Sequence, residues 1–144
     1  MVQRRAPVTF SVSRRIAAPA DVVWRLLTDT GQWPAWGSSI AGVQPAAGSA
    51  RLALGSRGRV RTAVGVTLPY TVTGFDPGTY WSWSVAGIPA TGHRVTPQPD
   101  GCLVTFTVPW WAPAYLPVCA VALRRIERLV AGPESSAGPG PVRE

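Results

Sequence analysis

The chain has 144 residues, 46% of them apolar, enough for one domain that buries roughly 70% of its unfolded surface. Its net charge of +7 comes from 14 arginines and no lysine against seven acids, which permits nucleic-acid or acidic-membrane partners. One histidine and scattered acids leave no protein-only zinc or di-metal site, and phosphate loops of the GxxxxGK[ST] or GxGxxG type and a G-x-S-x-G elbow are absent.

Taken in chain order, residues 1 to 7 are basic and expected to fray, and MVQRRAPV has no apolar stretch after its charges, so no secretory leader is expected. Val8, Phe10, Val12 and Ile16 alternate with Thr9, Ser11, Ser13 and Arg15, which predicts a strand over about 8 to 17 with the apolar set inward. Pro19 suits the first helical position, Asp21 faces the positive end of the helix dipole, and Val22, Val23, Leu26 and Leu27 follow at helical spacing. Asp29-Thr-Gly-Gln32 has the pattern of a capping box, so a second short helix starts there, with Asp29 read as its cap. Pro34 ends that helix around Trp33 to Trp36 and leaves two indoles at its exit.

A second strand is expected from Ser39 to Gln44, then a loop over PAAGSA, then an antiparallel meander. In the meander Val60 and Thr62 oppose Arg59 and Arg61, Gly65 allows a turn, and Leu68, Tyr70 and Val72 form the next inward row. Asp76-Pro-Gly78 is a turn, Trp81-Ser-Trp83-Ser-Val85 is the cleanest period-2 segment, His93 and Val95 share a face, Asp100-Gly101 signals a hairpin, and Val104, Phe106 and Val108 oppose Thr105 and Thr107. Leu116, Cys119, Ala120, Leu123, Ile126 and Val130 recur at helical intervals, and Pro117 places the start of that helix near 114 to 117. Gly132-Pro133 is expected to end it, leaving a domain of residues 1–132 and a disordered tail of 133–144. The apolar run Val108 to Leu123 is shorter than the roughly 18 residues of a membrane span and is interrupted by three prolines, so a core element is expected and no membrane span. Cys102 and Cys119 form neither a CxxC site nor a disulfide framework and read as free, buried thiols in a reducing, cytoplasmic setting.

The strand followed by Ala18-Pro-Ala-Asp-Val-Val-Trp-Arg-Leu-Leu-Thr-Asp29 and the exit Trp33-Pro-Ala-Trp36 resembles the START-like (SRPBCC) helix-grip superfamily, which contains polyketide cyclases and dehydratases. Later segments keep the likeness over roughly residues 8 to 131. The predicted elements suggest an α+β fold: two short helices after the first strand, then six or seven antiparallel strands and a long terminal helix, the sheet curving over that helix. The resemblance implies the helix-grip architecture, with a cavity between the concave sheet and the long helix.

The inward rows, with Tyr115 and Leu116 on the helix side, are heavily apolar and aromatic; they suit a pocket for an apolar or aromatic small molecule or, equally, a filled core. Trp36, Tyr70, Trp81, Trp83, His93, Phe106 and Tyr115 are the candidate ligand contacts, with Trp36 either at the entrance or in the packing. His93 is either a neutral core imidazole or a general acid or base, and Tyr70 or Tyr115 could donate to a ligand carbonyl. The arginines fall on outward faces away from the indoles, which argues against nucleic acid. The expected partner is a hydrophobic small molecule, bound without cofactor or metal by a monomer or homodimer. Its fate is cyclisation or dehydration in a cyclase-like enzyme, or simple carriage or sensing.

Overall fold

The computed structural model describes residues 9–47 and 51–137, with side chains as far as Ala131. In chain order these form β1 (Thr9–Ile16), α1 (Ala20–Thr28), a 3₁₀ turn (Thr30–Gln32), α2 (Trp33–Trp36), β2 (Ile40–Pro45), β3 (Arg57–Thr62), β4 (Thr67–Asp76), β5 (Tyr80–Val85), β6 (Ile88–Gln98), β7 (Gly101–Pro109), a second 3₁₀ turn (Pro113–Tyr115) and α3 (Leu116–Ala137). The strands make one antiparallel sheet in the order β1-β7-β6-β5-β4-β3-β2.

Period-2 alternation is obeyed most fully in β7, where Cys102, Val104, Phe106 and Val108 are buried and the residues between them only half so. Register shifts between Ile40 and Gly42, Val72 and Gly74, and Ser82 and Ser84 insert extra residues on three strands. Such bulges sharpen bend and twist, and they make the sheet concave toward α3. On α3, Cys119, Ala122, Leu123 and Ile126 turn inward. The helix packs on β1, β7, α1 and α2. Arg14 pairs with Glu127 at 2.8 Å across the β1–α3 contact, a half-exposed bridge that adds little to stability.

Several local expectations need correction. Pro19 stands one place earlier than expected, as the N-cap of α1, and its carbonyl accepts from the N–H groups of Val22 and Val23. Asp29 does cap the following turn, accepting from the Gly31 N–H at 3.0 Å. Phe10 is 43% exposed although its pairing partner Val108 is buried, because β1 is an edge strand with a neighbour on one side only. α3 does not stop at Gly132-Pro133 but runs to Ala137. A proline removes only its own N–H from the ladder, and the residues beyond it can keep helical dihedrals. Val8 and residues 138–144 of the expected tail lie outside the described residues.

Candidate functional site

The two indoles at the α2 exit close the middle of the sheet. Trp33 stacks on Trp81 with ring centroids 5.1 Å apart and meets Tyr70 and Trp83 edge-on. Trp36 meets His93 and Phe106 edge-on, at 5.9 and 5.7 Å. Both indoles are anchored to α1, Trp33 Nε1 donating to the Leu27 carbonyl at 2.8 Å and Trp36 Nε1 to that of Leu26 at 3.3 Å. Trp36 is only 3% exposed, so its place is in the packing and not at an entrance.

His93 lies within this cluster, stacked 4.0 Å from Trp81 and edge-on to Phe106 at 4.7 Å. Its hydrogen bonds fix the tautomer. Nδ1 faces the Trp81 carbonyl at 3.2 Å, which can only accept, so Nδ1 carries the proton. Nε2 then accepts from the Thr91 hydroxyl at 2.9 Å, and Thr91 Oγ1 accepts from Trp83 Nε1 at 3.0 Å. Burial pushes the imidazole pKa down to about 3, opposed in part by the bond to Trp81, so the ring is neutral at neutral pH. Its basic lone pair is already engaged.

Beyond this cluster, toward the end of the sheet that carries the β3–β4 and β5–β6 turns, the interior opens into a cavity of about 450 Å³. β2 and its approach contribute Ser39 and Ile40, β3 and its turn Val60, Thr62, Ala63 and Val64, β5 Trp83 and Val85, and β6 Ile88, Pro89, Ala90 and Thr91. Val108 and Pro109 of β7 and then Trp111, Ala112 and Tyr115 complete the wall. A much smaller void of about 30 Å³, room on the order of one water molecule, lies against Trp36, Trp81, His93 and Phe106 and shares Ser39, Ile40, Trp83, Thr91 and Tyr115 with the larger cavity.

The large cavity's wall has no charged side chain and four hydroxyls. Thr62 donates to the Val66 carbonyl and Thr91 to His93, which occupies both protons. Ser39 and Tyr115 share one hydrogen bond of 2.5 Å. Two hydroxyls joined by one bond leave one proton free, so this pair is the wall's one hydroxyl donor with capacity left among the described residues. Tyr115 is 36% exposed at the mouth, and its phenol pKa is raised by desolvation, with the Ser39 bond pulling the other way.

Of the residues singled out from sequence, Trp83 and Tyr115 therefore line both the large cavity and the small void, while Trp36, Trp81, His93 and Phe106 touch the small void alone. Tyr70 lines neither. Its hydroxyl is buried without a hydrogen-bond partner over Gly58, where an added Cβ would lie 2.6 Å from it, and burial raises its pKa. Cys102 and Cys119 are free and buried; burial pushes the Cys119 thiol up to about 11, so it is no nucleophile at neutral pH.

Residues 7–131 match the family model described as Polyketide cyclase / dehydrase and lipid transport. The chain belongs to this family. Among solved structures the family member is similar to protein MLL2253 from Mesorhizobium loti, with a TM-score of 0.71 and 17% identity over 88% of this chain and 99% of that one. It is also similar to XoxI from Bacillus cereus (TM-score 0.67, 14% identity, 86% and 96% covered) and to a protein from Thermobifida fusca solved by NMR (0.65, 20%, 85% and 93%). At such identities the likeness concerns the fold, which is the helix-grip arrangement of curved sheet and long C-terminal helix. No curated protein matches significantly. Among the described residues no helix is long and apolar enough to cross a membrane.

Sequence reasoning missed most of the wall of this family member's cavity. Thr91 continues the His93–Val95 row two residues earlier and was open to period-2 reading, whereas Ala63, Val64 and Ala112 sit on connections between elements, where no periodicity marks them, and Pro89 opens β6 right after a turn with a weak signature.

Proposed function

We propose that the chain binds an apolar small molecule of lipid or polyketide type in the large cavity, one polar group of the ligand meeting the Ser39–Tyr115 pair, and that it acts by holding that molecule. The observation carrying this reading is the wall itself: about 450 Å³, uncharged, with its hydroxyls spent on protein partners except for one proton. That volume lies in the range of roughly 300–1,000 Å³ that takes drug-sized ligands. A ligand with several polar groups would lose more hydration here than the wall returns.

Carriage accords better with the geometry than proton transfer by the candidates His93 and Tyr70, since both lie off the wall and His93 has no free lone pair. A cyclase-like reading keeps one specific support. The free proton of the Ser39–Tyr115 pair could hydrogen-bond to a substrate carbonyl while the apolar wall folds the chain for an aldol closure or dehydration.

The test is titration with the neutral dye N-phenylnaphthylamine, alongside native mass spectrometry of the purified protein. Saturable uptake at one site is expected. Ala90→Phe, which adds a ring where a half-buried alanine meets the cavity, is expected to weaken uptake by at least about tenfold while near-ultraviolet circular dichroism stays native. Absence of saturable uptake, or uptake that Ala90→Phe leaves unchanged, would sink the reading.

A further inference from the structure

We propose that the cavity mouth is a docking surface for an anionic lipid bilayer. The antiparallel meander sends three connections to one end of the sheet: the β3–β4 turn, the β5–β6 turn and the exit from β7. Each carries large apolar side chains in solvent. Val64 is 85% exposed and Val66 is exposed beside it, Ile88 is exposed on the second turn, and Trp110 is 61% exposed next to Trp111 on the third. Val64, Ile88 and Trp111 also line the cavity, so the three tips ring a single opening. Monomeric proteins seldom leave apolar residues so clustered, and two adjacent indoles suit the boundary between water and hydrocarbon.

Charge selects the occupant. The acids with described side chains are Asp21, Asp29, Asp76, Asp100 and Glu127, and none belongs to a rim connection; Asp76 ends β4 and Asp100 sits on the β6–β7 turn, both at the opposite end of the strands. Arg61 stands beside Thr62 of the wall, with its guanidinium over Gly42. An apolar rim free of acids on a chain of net charge +7 fits a negatively charged membrane surface, whereas a second copy would bring the same positive charge against itself. Docked this way, the opening faces the bilayer, and an apolar molecule could pass between membrane and cavity without crossing water. The surface stands apart from the ligand reading, since the rim can dock whatever the cavity holds.

The experiment is flotation of the protein with vesicles of phosphatidylcholine alone and of phosphatidylcholine with phosphatidylglycerol, with tryptophan quenching by brominated lipid. Binding to the anionic vesicles is expected to weaken as salt is raised. Trp110→Ser with Val66→Ser, two rim residues outside the cavity wall, is expected to weaken vesicle binding by at least about tenfold and to leave dye uptake in vesicle-free solution unchanged. Three results would overturn the proposal: no binding to either vesicle, binding that survives the double substitution, or a concentration-dependent dimer abolished by it, which would make the rim a self-association face. Failure of dye uptake with vesicle binding intact would count against the cavity reading alone.

Discussion

At the scale of single residues, His93 and Thr91 carry the sharpest chemistry. The run from Trp83 Nε1 through the Thr91 hydroxyl and His93 to the Trp81 carbonyl satisfies each side-chain group in turn within an apolar cluster. The folded state therefore refuses a proton that the unfolded chain accepts below about pH 6.5, and it does so until the pH nears about 3. Because the unfolded state binds more protons across that window, stability is complete above the upper value and falls as pH drops toward the lower. Between about pH 7 and pH 5 the loss attributable to His93 is about 2 kcal/mol, at roughly 1.4 kcal/mol per unit. Urea midpoints of the wild type and His93→Gln at the two pH values measure it: the variant should lose markedly less, and equal losses would contradict the assignment. His93 was visible in the sequence as an inward residue on a strand; its tautomer and the spent lone pair follow from Thr91 and Trp81, one on the same strand and one across the sheet.

At the scale of elements, the β5–β6 hairpin shows where local reading runs out. Val85 pairs with Ile88 across a two-residue loop in which Ala86 and Gly87 both have positive φ, at 53° and 78°. That loop type matches the twist of the flanking strands and favours Asn-Gly or Asp-Gly, so an Ala-Gly pair hid both the turn and the first five residues of β6. Asp76-Pro-Gly78, with its stronger signature, was legible at once. Ala86 holds the left-handed region at a cost of about 1 kcal/mol, and its N–H donates to the Pro69 carbonyl at 2.7 Å. Ala86→Asn keeps that bond and tolerates the dihedral, so it should raise stability by about 0.5–1 kcal/mol. A denaturant midpoint that falls on this substitution would show that the loop is held by something other than its backbone conformation.

At the scale of the whole molecule, the interior divides into a filled half and a hollow half. Four indoles, Tyr70, His93 and Phe106 fill the middle, while the turn end of the same sheet encloses about 450 Å³. A cavity of that size leaves its wall short of dispersion contacts, and a guest that supplies them stabilises the folded state by mass action. A neutral apolar ligand at about a hundred times its dissociation constant should add about 2.7 kcal/mol, read as a raised thermal midpoint. Ala90→Phe should remove the ligand's effect; a midpoint that rises equally in the variant would place the guest elsewhere.

Side-chain period, turn residues and proline positions were enough to read the order of strands and helices and most of the inward rows, because each is a property of neighbours along the chain; the helix-grip likeness rested on the motif from Ala18 to Trp36. Which part of the inward surface is packed and which is empty depends on something else. It is a difference between two facing surfaces, set by three bulges that bend the sheet and by the line α3 takes across it. Those are long-range quantities, so of two residues of identical pattern Trp81 stays off the large cavity, within the aromatic cluster, while Trp83 belongs to the cluster and to the cavity wall at once.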